Sequence, residues 1–402
     1  MKILVINAGS SSVKVSLFGV EDDTVLATGM VERIGIRGTQ LYYRNLRGDE
    51  IKTNTEVADT SQAIGAMMSL LMDEKLGVIR SKEEISAIGH RVVHGGEKIK
   101  TSTLITTEAK KIIEECFELA PLHNPPNMEG IKTCEANFRG IPQVAVFDTA
   151  FHNTLPDFAY LYGLPYHLYQ EDKIRKYGFH GTSHQYVCQA AAELLKQPLD
   201  QLKIISCHLG NGCSITAVDK GESIDTSMGF TPLEGLIMGT RCGDLDPAIV
   251  FYLMEHKSLD SRQVNELLNK QSGLLGLAGT GSSDLRDILA EGEKGNQQAE
   301  TAVNAFVYRI KKYIGAYTAA MGGLNAIVFT AGIGENSTLI REMVCSGLEG
   351  LGIILDPEKN ARVNRKSGQV QRDQSRVKIM VVPTNEERAI ALQTLELLGT
   401  EG

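Results

Sequence analysis

At 402 residues the chain is longer than one ordinary hydrophobic core, so two domains are expected, and 42% hydrophobic with 22% charged residues is a globular composition, not a disordered one. A formal net charge of −8 offers nothing to nucleic acid or to an anionic membrane surface, so any anion site must be a local concentration of Arg, Lys and backbone N–H groups. Seven scattered cysteines without a Cys-x-x-Cys pair, an N-terminal apolar run too short for a signal peptide, and no stretch near the roughly 20 apolar residues of a membrane span predict a cytoplasmic protein without a zinc site or disulfide framework.

The chain opens with the apolar run Ile3-Leu4-Val5-Ile6, then Asn7-Ala8-Gly9-Ser10-Ser11-Ser12-Val13-Lys14, then an alternating strand through Val15 and Leu17. A strand-turn-strand rich in glycine and serine supplies unhindered N–H groups and hydroxyls, and Lys14 adds a positive charge; such a turn suits phosphate oxygens. A Walker loop would instead join a strand to a helix and end in Gly-Lys-Ser/Thr, and the sequence has no Gly-Lys dipeptide. A plain hairpin is the competing reading.

Further along, Ala87-Ile88-Gly89 reads as a strand before His90-Arg91-Val92-Val93-His94-Gly95-Gly96, and His123 lies on a loop stiffened by Pro125 and Pro126. The run Gln143-Val144-Ala145-Val146-Phe147 ends at Asp148, where a carboxylate is either a helix cap or a metal holder. His180 precedes a helix that Ser183 caps and that runs to Leu195.

The opening pattern then recurs. Lys203-Ile204-Ile205-Ser206-Cys207 leads into His208-Leu209-Gly210-Asn211-Gly212-Cys213 and a second strand through Val218, which suggests two halves of related topology. Arg241 sits in the glycine-flanked loop 238–244. A long helix is predicted from about Ala299 to Met321, then a strand over 326–329 that ends in Thr330-Ala331-Gly332-Ile333-Gly334-Glu335-Asn336, a glycine turn opening a helix at Ser337. There Glu335 or Asn336 could reach a ribose or base. After the strand 378–382, Thr384-Asn385-Glu386-Glu387 has capping-box spacing, with Ala391, Leu392, Leu395 and Leu398 on one face of a last helix. Strands alternating with helices indicate α/β layers with ligands at strand ends. Arg91 and Arg241 could bind carboxylate or phosphoryl oxygens bidentately, as phosphoryl transfer demands.

Four stretches carry a resemblance: 7–14, 90–96, 208–212 and 332–336 are similar to signature stretches of the acetokinase family, and they occur in the family's order along the whole chain. That family belongs to the acetate and sugar kinase, Hsc70 and actin superfamily. The resemblance implies a duplicated two-domain actin-like ATPase (ribonuclease H-like) α/β fold with a central cleft. Its N-terminal domain would span 1–150, with the C-terminal helix 385–402 returning to it, and a nucleotide-binding domain would span 151–384. It implies reversible, direct in-line phosphoryl transfer between ATP and acetate with Mg²⁺, for which Mn²⁺ is a substitute, ADP and acetyl phosphate as products, and a homodimer.

Roles follow from the same resemblance. Asn7 and Glu386 go to the metal; Arg91 goes to the acetate carboxylate; His180 and Arg241 go to the transferred group. Lys14, His208, Leu209, Gly210, Asn211, Gly212, Asp284, Leu285, Arg286, Gly332, Ile333, Gly334, Glu335 and Asn336 go to the nucleotide. Val93, Leu122, Phe179 and Pro232 form an apolar acyl pocket, which separates acetate from propionate weakly because one methylene is worth about 1–3 kcal/mol. Asp148 matches a residue to which the family gives a proton-transfer role. A carboxylate acceptor has a pKa of about 4–5 and is already ionised at neutral pH, so Asp148 is better used on metal or water. The rivals are a propionate or butyrate kinase, an actin- or chaperone-like ATPase, and a sugar kinase; the last would need a carboxylate base beside a polyol pocket.

Overall fold

In a computed structural model the described residues are 1–20, 24–363 and 366–399. They form two compact units, Met1–Phe151 with Asn385–Gly402, and His152–Thr384. Residues 400–402 of the expected last helix lie outside the described residues.

The first unit is built on an eight-stranded sheet of β1 (Lys2–Ala8), β2 (Ser12–Gly19), β3 (Thr24–Glu32), β4 (Thr39–Asn45), β5 (Glu50–Thr55), β6 (Ala87–Val92), β7 (Thr103–Leu104) and β8 (Gln143–Phe147), ordered 5-4-3-2-1-6-8-7. β1 to β5 form an antiparallel meander, and β6 and β8 then add parallel to β1. The second unit repeats the scheme with β9 (Lys203–Leu209), β10 (Cys213–Asp219), β11 (Glu222–Thr226), β12 (Ala326–Thr330), β13 (Gly368–Gln369) and β14 (Lys378–Val381). β9 to β11 meander, and β12 and β14 add parallel to β9. The repeat predicted from the two glycine turns is therefore a repeat of whole sheets, and the α/β class holds.

Strand alternation explains the layering of the first unit. Leu4 and Ile6 face Ala63, Ile64 and Met67 of the helix Thr60–Leu71, whereas Ile3 and Val5 face Ile390 and Ala391 of the helix Glu386–Gly399. Both faces are covered, so β1 reads as a continuous apolar run. Each such buried side chain contributes about 1.5–3 kcal/mol. The last helix lies directly on β6: a Cβ at Gly89 would sit 2.5 Å from Thr394 Oγ1 and 2.7 Å from Ile390 Cγ2. In the second unit the helix Gln297–Ala320 buries Ala299, Val303, Phe306, Ile310, Ile314 and Tyr317, a stripe of helical period.

Several helix starts differ from expectation. The helix Gly181–Leu195 begins before Ser183, and its N-cap is His180 in a left-handed conformation (φ 57°). The prolines after His123 occupy the first turn of the helix Asn124–Asn137, where a missing N–H costs nothing. The residues after Thr330 are themselves helical, Ala331–Asn336, and Ser337 caps a separate helix, Thr338–Cys345. For the last helix, Asn385 Oδ1 accepts from Arg388 N at 2.9 Å, so Asn385 and not Thr384 caps it. Its Leu392 is exposed, and Thr394 is buried in its place. Among the described residues no helix is long and apolar enough to cross a membrane.

Candidate functional site

In the first unit the candidate residues gather at strand ends. Arg91, on β6, donates from Nη2 to Asp148 Oδ2 at 3.1 Å, and its Nε lies 3.8 Å from Glu386 Oε2. Asp148 follows β8 and is anchored by its own N–H to Val92 O at 2.9 Å. Lys14, opposite Asn7 in the β1–β2 hairpin, pairs with Glu387 at 2.5 Å. The turn between those strands closes through Gly9 N to Ser12 O at 2.7 Å. Among the described residues, the carboxylates of Asp148, Glu386 and Glu387 lie beside the cations of Arg91 and Lys14. Burial pushes the Glu386 carboxyl up to about 7; Arg91 and Lys14 oppose this, and Asp148 and Glu387 reinforce it.

Behind them, two asparagines fix the loop that follows β6. Asn127 Oδ1 accepts from Val93 N at 3.1 Å while its Nδ2 donates to Ala8 O, and Asn124 exchanges hydrogen bonds with the His94 backbone. His90 is buried against Gln143 Oε1 at 2.7 Å, and burial holds its pKa down at about 4. Among the expected apolar residues of this unit, Val93 is buried, but Leu122 is 69% exposed and its own unit does not enclose it.

In the second unit, His180 and Arg241 converge on the β9–β10 turn. A methyl group built on Gly212 would sit 3.5 Å from Arg241 Nη1 and 3.6 Å from His180 Nε2, so a side chain there would fill the space they face. Arg241 Nη1 donates to Pro232 O at 3.2 Å. His180 stacks on His208 with ring centroids 4.1 Å apart, and its Nδ1 bonds Ser214 Oγ at 2.8 Å. Phe179 is buried beside it and Pro232 is half-buried.

A cavity of about 690 Å³ opens beside this turn, lined by Gly210, Asn211, Asp284, Leu285, Arg286, Gly332, Ile333 and Asn336 of the expected nucleotide residues. Asp284 caps the helix Leu285–Glu293 and is also gripped by the Arg286 guanidinium, which holds its carboxyl down at about 2. The other expected nucleotide residues of the unit are placed differently. Leu209 is fully buried in β9, and Gly334 packs on the end of β12, 3.3 Å from Phe329 C when given a Cβ. Glu335 does not line the cavity; its Oε1 accepts from Thr384 N at 3.0 Å. Sequence reasoning did not single out Gly239 and Ser337, which also line the cavity, or Ser214 and His184. Polar residues interrupting the apolar strands β9 and β10 were the available signal for Ser214.

Among the described residues no group of three or more His, Cys, Asp or Glu marks a metal cluster. Two carboxylates, Asp148 and Glu386, with the amide of Asn7 nearby fit the other kind of site, in which Mg²⁺ keeps most of its water and takes one or two carboxylates. An ion there would set positive charge against those carboxylates.

A family model described as the acetokinase family matches residues 2–392. An acetate kinase of Alkaliphilus metalliredigens is 53% identical over 99% of this chain and 100% of that protein. One of Halothermothrix orenii is 55% identical, again over 99% and 100%. Among solved structures, the acetate kinase of Porphyromonas gingivalis superposes with a TM-score of 0.95 at 46% identity, covering 99% of each chain. A propionate kinase from Francisella tularensis gives 0.91 at 42% identity, covering 98% of this chain and 99% of that one.

Proposed function

The chain belongs to the acetokinase family, and we propose that it transfers the terminal phosphoryl group of ATP to acetate, reversibly and by direct in-line displacement. The observation that carries this reading is the convergence of Arg241 and His180 on Gly212 beside the cavity of about 690 Å³. Backbone N–H groups, a guanidinium and an imidazole aimed at one point suit a trigonal phosphoryl group with charge on its equatorial oxygens.

Residues 210–212 and 284–286, with Gly332, Ile333 and Asn336, hold ATP on this reading. Arg91 takes the acetate carboxylate, and Val93, Leu122, Phe179 and Pro232 supply apolar contacts to the methyl. The acceptor oxygen attacks the γ-phosphorus, the bond to the β-phosphate oxygen breaks, and ADP leaves. No proton moves, because acetate arrives ionised, so Asp148 orients Arg91 and needs no role as a base. Asn7, Asp148 and Glu386 would hold Mg²⁺, or Mn²⁺ in its place; when bound, the ion supplies positive charge to the phosphate oxygens. Arg241 and His180 neutralise charge that develops during transfer, while Arg91 frees a donor for substrate once Asp148 and Glu386 are otherwise compensated. We further propose a cytoplasmic homodimer; the free cysteines, all but Cys242 buried, suit a reducing compartment.

Acyl-hydroxamate formation from ATP, Mg²⁺ and acetate, propionate or butyrate tests the reading. Acetate should give the highest kcat/KM, with propionate second. A higher value on butyrate would overturn the substrate assignment, and ATP hydrolysis indifferent to any carboxylic acid would return the ATPase alternative.

A further inference from the structure

We propose that Ser206, His184 and Ser214 form a hydrogen-bond chain that holds His180 in the tautomer with its proton on Nε2. The inference rests on the reading of His180 as a donor to the transferred phosphoryl group, and it assigns positioning roles to three residues that do not touch substrate.

The chain is continuous. Ser206 Oγ lies 2.9 Å from His184 Nδ1, His184 Nε2 lies 2.7 Å from Ser214 Oγ, and Ser214 Oγ lies 2.8 Å from His180 Nδ1. Ser206, His184 and Ser214 have no exposed surface, so bulk water does not compete for these bonds. β9 and β10 supply both serines, and the helix Gly181–Leu195 supplies His184 one turn after His180.

Counting protons restricts the arrangement. Ser214 has one hydroxyl proton and sits between two ring nitrogens, so it donates to one and accepts from the other. His184 stays neutral, because burial drives its pKa well below 6.5 and His152 and His208 oppose its charging. A neutral imidazole carries one N–H. For a neutral His180 two orientations of the chain therefore exist. In one, Ser206 donates to His184 Nδ1, His184 Nε2–H donates to Ser214, and Ser214 donates to His180 Nδ1, which leaves the His180 proton on Nε2. In the other every bond is reversed and His180 Nε2 carries a lone pair.

The His180 Nε2 edge faces the same point over Gly212 as Arg241 Nη1. A lone pair there would meet the phosphoryl oxygens with like sign, whereas an N–H would meet them as a donor. The bound anion thus selects the first orientation, and a His180 whose other nitrogen is already satisfied donates without reorganising.

A double-mutant cycle tests this. Ser214→Ala should lower kcat roughly tenfold, as loss of an orienting partner does, with KM for ATP and for acetate unchanged within about a factor of two. In a His180→Ala background, Ser214→Ala should lower kcat no further, because the serine acts only through that ring. An equal loss in both backgrounds overturns the inference while leaving the role of His180 intact. A His180→Ala enzyme with wild-type kcat overturns both. Selective ¹⁵N-histidine NMR of the wild-type enzyme saturated with ATP, assigned with His180→Ala, should show His180 protonated on Nε2, and protonation on Nδ1 alone would refute the proposal. If Ser214→Ala fails to fold, Ser206→Ala, one step further from the ring, is subject to the same cycle.

Discussion

The guanidinium of Arg91 is bonded to Asp148 at 3.1 Å and lies 3.8 Å from Glu386. One cation is shared between two acids that come from opposite ends of the chain. Among the described residues no carboxylate pairs with Arg241, whose guanidinium bonds Pro232 O and Met238 Sδ instead. The two arginines should therefore fail differently.

Arg91→Ala leaves Asp148 buried without its cation, which costs about 3–5 kcal/mol of stability. Thermal melts should show a clear drop in Tm, and adding Asp148→Asn should restore much of it. Arg241→Ala should melt near wild type. Each single variant should lose two to three orders of magnitude in hydroxamate formation, Arg91→Ala through the lost acetate contact and Arg241→Ala because a donor to developing charge is worth about 3–4 kcal/mol. Wild-type turnover in a folded Arg241→Ala would remove that residue from the transition state.

Glu386 yields a metal-linked stability prediction. Its folded pKa of about 7 lies above the ordinary 4.5, so between those values the folded state binds more protons. Stability is lost as pH rises through that window. In EDTA at pH 8, Glu386→Gln should be more stable than wild type by at most about 3 kcal/mol, and the gap should close near pH 4.5. Mg²⁺ should raise the Tm of the wild type at pH 8 and leave the variant nearly unmoved. An equal Mg²⁺ effect on both proteins would place the ion elsewhere.

Arg341 has no exposed surface and holds the cavity wall from behind. Its Nη1 donates to Gly334 O and Glu335 O at 2.9 Å, and its Nε and Nη2 donate to Asn360. It thereby satisfies carbonyls at the end of Ala331–Asn336 that have no partner within that helix. Arg341→Lys keeps the charge and loses the fork. Initial rates should show KM for ATP raised roughly tenfold, equivalent to about 1.4 kcal/mol, with KM for acetate unchanged. A parallel rise in both constants would point to general loosening instead.

His90 sets an acid limit. Its pKa is held near 4 by burial, against an ordinary 6.5, so the folded state keeps it neutral while the unfolded state protonates. Stability should fall as pH drops from about 6.5 towards 4, by at most about 3 kcal/mol from this group. His90→Gln should flatten that part of the curve in urea titrations. An unchanged slope would mean that other histidines dominate.

Much of this protein is legible in order along its sequence. The strands came from apolar runs whose alternation is local, and the two strand-turn-strand segments at 7–14 and 208–213 signalled the repeat of sheets. Glycine turns marked the cavity wall at Gly210, Gly332 and Ile333 because close approach of backbone to ligand has few other solutions. Helix caps were less legible. Ser183 and Thr384 have the right chemistry, but their hydroxyls bond each other at 2.7 Å, and a cap depends on which backbone N–H groups the surroundings leave open.

The sequence by itself determined which residues carry charge and polarity, the strand order within each hairpin and the family. Only the tertiary structure decided how those groups pair. Glu386 stands beside Arg91 because Gly89 lets the last helix lie against β6, Glu335 accepts from the Thr384 N–H, and Ser214 joins two histidines. These pairings join residues far apart in the chain. Coulomb and hydrogen-bond energies fall off over a few ångströms, so they depend on packing that no local window of sequence contains.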